Sequence, residues 1–536
     1  MQTIELNLGN PNLTLLHRAG LAGLWMTLKY FENNPSQKRP EGLNWQLTPR
    51  QVSLQWEGND RDVLDSLLRE SFQLHKGVIS LRCLDSKELT DIQTRLIVHQ
   101  GILGTFLQHN STHKSTGAVQ ETLQIDEDSP EIFINYKSLK NYVYQEFANQ
   151  LCDNQGNLLN RPIKVAGWLN PGAVVRHIAF SSDTSFEETP AQALMLLFAP
   201  IACCYFILQS KLQEKKAQFA LVVPEVTNLE KYAEYRQRPS LRNAGYKSFY
   251  ASSLGDAGLQ FLIKKNTKKT ATAYGVERCQ VLTLGTVAWS TQQKTRTNSY
   301  TVEATAQICD NYRIACNYFA DQIVLTKKGD GYFESSFAKE LITENLVKFK
   351  PWYAGLSQKI NSNKLFDKLT YERGGLYQMI QKSLWDTESK KLFVEAFHET
   401  LLCTYGQAGK RAEDSNKQPN FDRINIQIRT KLGRCKNAET LRKFIVDFWS
   451  KPGRKPRILQ DNWQKLMILI TEDDDWKLTR DLSLLALASY KGKEKKAVET
   501  DDYDGDNQKS VKGKVKKNKA EDLDEDNEDD DVIDIF

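Results

Sequence analysis

The chain has 536 residues and a formal charge of +5, with 40% hydrophobic and 10% aromatic residues. That length exceeds what one hydrophobic core supports, so two to four domains are expected, and the apolar content excludes a wholly disordered chain. The charge is uneven: residues 491–536 hold ten lysines against sixteen acidic side chains, a net of −6, which leaves a body of +11. A basic body with an acidic tail points to a polyanionic partner; scattered surface lysines produce the same total.

Nine cysteines occur without a C-x-x-C pair. Cys203 and Cys204 adjoin inside an apolar run, which fits buried thiols in a reducing cytoplasm. The start, MQTIELNLG, has neither a basic region nor a long apolar stretch, so no signal peptide is expected. The apolar run 193–208, ALMLLFAPIACCYFIL, is interrupted by Pro200. As a helix it spans about 24 Å, short of a bilayer core of about 30 Å, and reads as a buried core helix.

In chain order, alternation predicts a strand over 3–8 and apolar spacing predicts a helix from Asn12 to about 31. A hairpin follows at 43–47 and 52–56, then a helix capped by Asp60 running to 74, then a strand at 78–82. The order β-α-β-β-α-β predicts a ferredoxin-like unit over 1–85. Residues 86–333 read as a mixed α/β region. It opens with a helix over 88–108, followed by His109 and His113, four apart but with no third ligand for a metal. Strands are expected at 121–125 and 131–135, a helix near 139–151, and a turn-rich loop over 167–177 that presents Arg176 and His177.

Thr189, Pro190 and Gln192 announce the apolar helix as cap, first position and capping-box partner. After an apolar strand at 220–226, a charged helix from Asn228 ends in Arg236, Arg238 and Arg242. Those arginines suit phosphate contacts or pairing with the negative end of their own helix. Lys264, Lys265, Lys268 and Lys269 then precede a β-type run over 276–289 that carries Arg278. A polar, basic tip over 290–299 leads to a strand at 300–302. Lysine and arginine on loops beside Tyr274, Trp289 and Tyr300 suit a nucleic-acid backbone, and a soluble hairpin has the same composition. Gln292, Gln293, Lys294, Arg296 and Asn298 at the tip are candidates for reading base edges.

From 334 to 490 the texture is helical, with expected helices at 337–349, 364–385, 388–404, 422–432, 438–449, 459–471 and 475–489. Leu441, Phe444, Ile445 and Phe448 form a core stripe. Arg429, Lys431, Arg434, Lys436, Arg454, Lys455 and Arg457 supply a positive edge that can track phosphates, although most charged helix faces are simply solvated. Residues 491–536 cannot build a core and are expected to be disordered. The fold class is therefore α+β: a mixed N-terminal part, an all-α C-terminal bundle and an acidic tail. No phosphate loop, H-E-x-x-H, G-x-S-x-G or zinc spacing occurs, which favours a binding subunit with no catalytic residue, metal or cofactor. The alternatives are a nuclease or remodelling enzyme with an unrecognised site, and a purely RNA-binding adaptor.

Five stretches resemble the large subunit of type I CRISPR Cascade complexes, in the subfamily of Myxococcus-type and cyanobacterial loci (type I-A/I-B-like). They are IELNLGNPNLTLLHRAGLAGLWMTL, PGAVVRH, LLFAPIACCYFIL, LVVPEVTNLEKYAEYR and QVLTLGTVAWSTQQKTRT, spread over roughly the first 300 residues. The resemblance implies a non-enzymatic protein of antiviral defence that sits at the 5′ handle of the CRISPR RNA, recognises the motif flanking the target on double-stranded DNA and stabilises the R-loop. It implies backbone and handle-binding subunits as partners, with a helicase-nuclease or a transposition adaptor downstream. The helical region resembles the small Cascade subunit. Codons of Glu372-Arg-Gly-Gly375 can spell a ribosome site ahead of Met379, which would release 379–536 as a separate chain; a Gly-Gly helix break before a core methionine reads the same residues structurally.

Overall fold

The computed structural model describes residues 1–85, 92–124, 131–172, 186–208, 218–242, 245–263, 270–288, 293–319, 322–325, 331–334, 336–360, 362–451, 456–471 and 475–492. The expected tail lies outside them from residue 493 on. The helix Leu15–Asn33 organises the N-terminal half. Its cap is Thr14, two residues after the expected Asn12: the Thr14 hydroxyl accepts from the His17 N–H, and His17 Nδ1 accepts from the Thr14 N–H. Ala19, Leu21, Leu24, Met26, Leu28 and Phe31 are fully buried, as befits a helix that is apolar on nearly every side. It packs on the apolar helix Pro190–Ala202 and the strand Gln218–Val226. The approach is close because of Gly20 and Gly23. A Cβ there would lie 2.0 Å from the Met195 carbonyl oxygen and 2.1 Å from that of Phe198.

Strands Gln2–Asn7, Gln51–Trp56 and Leu43–Leu47 form an antiparallel sheet with Gln51–Trp56 in the middle. A ferredoxin-like unit needs the strand after the second helix to join this sheet. Here the helix Asp60–Ser71, capped by Asn59 rather than Asp60, runs directly into Phe72–His75, which pairs with Val78–Leu81 instead. The reason lies in the turn. Lys76 and Gly77 both have positive φ, 51° and 78°, the backbone of a two-residue hairpin loop, and this local pairing takes the fourth strand away from the sheet.

The central sheet has five strands, in the order Tyr250–Ala251, Cys204–Leu208, Gln218–Val226, Val276–Ala288 and Gln293–Glu303. The expected cap at Thr189 is present, with its hydroxyl accepting from Gln192 N–H and Pro190 at the first position. The apolar run 193–208 is not one helix. It turns at Cys203 into a strand whose five residues are all buried, because Cys-Tyr-Phe-Ile-Leu suits a strand covered on both faces. The hairpin Val276–Ala288 with Gln293–Glu303 keeps one register from Arg278↔Glu303 to Ala288↔Gln293. Most of the expected tip, from Gln293 on, is therefore edge strand. The segments expected at 121–125 and 131–135 are parts of a longer ribbon, His113–Gln124 with Glu131–Tyr142, whose second strand includes the start of the expected 139–151 helix.

The helical region begins at Phe337–Val347 and continues through Asn363–Tyr371, Arg373–Lys382, Glu388–Asp414, Phe421–Arg434, Ala438–Ser450, Trp463–Thr471 and Trp476–Ser489, with shorter turns between. The expected 364–385 helix is broken at Glu372, and Met379 is fully buried in the second piece. The Glu388–Asp414 helix runs past the expected end at 404, through Gly406 and Gly409, which have no neighbours within 4 Å of an added Cβ.

Sheet and helices share one compact unit, Met1–Gly492. They are pinned together by Asp256, in the helix Leu254–Leu262, which is capped by Ser253. Its fully buried carboxylate accepts from Ser252 N at 2.8 Å, Ser252 Oγ at 3.0 Å and Tyr312 OH at 2.8 Å, and lies 2.8 Å from Lys339 Nζ. Burial pushes this carboxyl up, but the Lys339 ammonium and the hydrogen bonds hold it below the ordinary value.

Candidate nucleic-acid interface

Residues Gln293, Lys294, Arg296 and Asn298 lie on the edge strand of the central sheet, so they are presented by a regular backbone rather than a loop. Gln292, the lysines Lys264, Lys265, Lys268 and Lys269, and Arg176 and His177 lie outside the described residues, as do Arg454 and Lys455. Arg278 is half exposed and held between Glu225 and Glu303. His109 accepts from the Ser111 N–H, and His113 Nε2 lies 3.4 Å from Lys137 Nζ.

Of the three arginines expected at a phosphate, Arg236 is buried and Arg238 and Arg242 are half-buried. Arg236 is 2% exposed and donates to the carbonyls of Cys203 and Leu241. Arg238 donates to the Phe261 carbonyl, with its guanidinium carbon 3.7 Å from the centre of the Tyr235 ring. Arg242 donates to the carbonyls of Leu84 and Asp85. For buried Arg236 the expectation of phosphate contact gives way to a structural role, and all three arginines donate to backbone carbonyls. Their planar forks satisfy carbonyls at chain turns, where a helix end leaves acceptors without partners. Arg236→Ala is accordingly expected to lower stability by about 3 kcal/mol or more, since it loses two hydrogen bonds from a charged group, each worth about 1.5–3 kcal/mol. The check is a denaturant melt run beside a nucleic-acid binding assay. An unchanged melt with weakened binding would return Arg236 to the interface.

The helical region builds a site that single-segment reading divides. The C-terminal half of Glu388–Asp414 and the helices Phe421–Arg434 and Ala438–Ser450 enclose a groove of about 560 Å³. Arg411, Lys431, Arg434, Lys443 and Lys451 line it, opposed by Asp447. Helical spacing sets this up: 431 and 434 share a face, as do 443, 447 and 451. None of the five cations makes an ion pair among the described residues. The floor is apolar. Phe444 and Phe448 stack with centroids 5.9 Å apart and planes 9° apart, and Phe448 rests on Phe397. A groove of unpaired cations over a half-buried aromatic ring has the parts that grip a single strand, phosphates on the cations and a base on the ring.

Lys436 and Arg457 are exposed outside this groove. Arg429 belongs to a neighbouring cavity of about 660 Å³, where it hydrogen-bonds Asn363 and lies 5.0 Å from the Phe366 ring centre. Burial lowers its pKa.

Residues 5–197 match the DevT N-terminal domain and residues 381–532 the DevT C-terminal domain, which together take in more than half of the chain. The CRISPR-associated protein Cas8a1/Csx13 of Myxococcus xanthus (strain DK1622) is 26% identical over 536 residues, 94% of this chain and 91% of that protein. The chain belongs to the DevT family. It is a CRISPR-associated large subunit. The DevT C-terminal match begins inside the Arg373–Lys382 helix and includes every cation of the groove, whereas the DevT N-terminal match ends inside the apolar helix. All five strands of the central sheet lie between the two matches. Arg411 and Lys443 were not singled out in the sequence, and Lys451 reads there only as the start of a basic loop. Arg411 lies in the last turn of its helix, Lys443 mid-helix and Lys451 at a helix C-cap, and only the meeting of three helices gathers them. A sequence signal does exist for Lys443 and Lys451, eight residues apart beside Phe444 and Phe448 on a stripe read as core.

Proposed function

We propose that this protein is the large subunit of a type I RNA-guided surveillance complex. In this reading it assembles with the CRISPR RNA and with the backbone and handle-binding Cascade subunits, meets the flanking motif on duplex target DNA, and holds a strand of the opened duplex in the basic groove. The observation that carries it is the groove itself: five cations without ion-pair partners among the described residues, arrayed over stacked phenylalanines. Basic grooves with ring platforms bind single strands with little sequence preference, which suits the displaced strand of an R-loop. The segment Gln292–Asn298 and the Lys264–Lys269 cluster are the sequence-derived candidates for the duplex, together with Arg176 and His177. No residue is assigned to catalysis.

The test is the salt dependence of single-stranded DNA binding by the assembled complex. Alanine at Lys431, Arg434, Lys443 and Lys451 is expected to weaken binding equally for all sequences, and to flatten the log–log salt slope by about 0.7 per lost phosphate contact. An unchanged slope would remove the groove from the DNA path. Metal-dependent cleavage by the purified chain would favour an enzyme instead.

A further inference from the structure

The ribbon His113–Gln124 with Glu131–Tyr142 is a two-stranded sheet of its own. Isolated two-stranded ribbons are marginal in water, so one that keeps its form needs anchoring. Here Gln100 Nε2 donates to the Asn135 carbonyl at 3.0 Å, His99 Nε2 contacts the Lys137 carbonyl at 2.8 Å, and Leu139 N donates to the Gly77 carbonyl at 2.9 Å. Ile134 and Leu139 are buried against the body. The opposite face is exposed among the described residues. Its cross-strand pairs are Ala118↔Lys137, Gln120↔Asn135 and Thr122↔Phe133, and all six residues are exposed.

We infer that this outward face of the ribbon enters the major groove of duplex DNA, with Gln120 and Asn135 reading base edges. The inference rests on the proposed function, which brings flanking duplex to this protein. Directly opposed side chains on one face stand about 5 Å apart, so the two amides form one contiguous donor–acceptor patch. Neither amide makes a hydrogen bond among the described residues. Asn and Gln make paired contacts to adenine N6 and N7, and a methyl or aryl group meets the thymine methyl, as Thr122 and Phe133 can. Lys114, Lys137 and Lys140 are exposed along the two strands, against exposed Glu131 and half-buried Glu121, while the connecting residues 126–128 are acidic, so any phosphate contact falls to the three strand lysines. Size selects the polymer. Two strands about 4.8 Å apart fit the roughly 12 Å major groove of B-form DNA, whereas the deep, narrow major groove of A-form RNA closes to them.

The experiment uses the full complex loaded with guide RNA, incubated with target duplexes whose flanking positions are randomised, and bound duplexes are sequenced. Wild-type complex is expected to enrich a flank containing an A·T pair. Gln120→Ala with Asn135→Ala is expected to reduce enrichment at that pair about ten- to a hundredfold, with complex assembly and the melt unchanged. Gln120→Glu with Asn135→Asp tests the chemistry at nearly constant shape. Carboxylates accept from cytosine N4, so the preferred pair should move from A·T to C·G, a change that a merely structural ribbon does not produce. If wild type enriches a motif and both double variants enrich the same one, the ribbon is not the reader. If wild type binds duplex without enriching any flank, the proposed motif recognition fails first, and the ribbon inference with it.

Discussion

Alanine at Gly20 together with Gly23 is expected to be among the most damaging two-atom additions in the protein. Each adds one methyl group where the Leu15–Asn33 helix meets the carbonyls of Met195 and Phe198 on the apolar helix. Overpacking of this kind costs about 1–3 kcal/mol when side chains can move aside. Here the obstacle is backbone, so each site should reach the top of that range. The helices cannot part without opening the core that Leu24, Leu28, Leu196 and Leu197 fill. Limited proteolysis and calorimetry of the G20A/G23A variant should show early cleavage and a markedly lower transition. Wild-type resistance in both would mean that the two helices are less tightly docked than the described contact.

The second large effect is expected at Asp256 and Lys339. Lys339→Met leaves a fully buried carboxylate without its cation, and breaking a buried pair from one side costs about 3–5 kcal/mol. Asp256→Asn added to Lys339→Met removes the charge and should recover much of that loss, a coupling that a double-mutant cycle reads directly. Additive losses would show that the pair does not act as a unit. The pH dependence has a defined sign. The folded carboxyl titrates below its ordinary value of 3.8, so in the window between the two values the unfolded chain binds more protons. The pair's contribution is thus fully present above about 3.8 and is lost as pH falls through the lower, folded value. The double variant should lose stability less steeply than wild type in that acid window.

Several elements were legible because local chemistry and tertiary context agree on them. Thr189, Pro190 and Gln192 start a helix wherever such a sequence stands ahead of an apolar run, and the stripe Leu441, Ile445, Phe448 has only one periodic reading. Other features were hidden for physical reasons. An all-apolar run such as 193–208 has no polar residue to betray its period, so the change from helix to strand at Cys203 leaves no mark. Lys76 adopts a positive φ that a lysine rarely takes, so the hairpin that captures Phe72–His75 was masked by its first turn residue. Arg236, Arg238 and Arg242 look like surface cations in sequence. Their direction depends on carbonyls of Cys203, Phe261 and Leu84, distant in the chain. The groove was half legible: Lys431 and Arg434 were named, but its other walls come from separate helices. On the ribbon, strand pieces were recognised but the pairing that sets Gln120 beside Asn135 was not.

The docking of the Leu15–Asn33 helix onto residues 190–226 has a consequence during synthesis. The helix leaves the ribosome long before the segments that cover it. At about 5–20 residues per second, its apolar surface waits on the order of ten to forty seconds for the apolar helix and the following strand to emerge. A lone helix that is greasy on nearly every side is a target for holding chaperones during that interval. The yield of this protein in a foreign host is therefore expected to respond to translation speed across 34–226 and to chaperone supply.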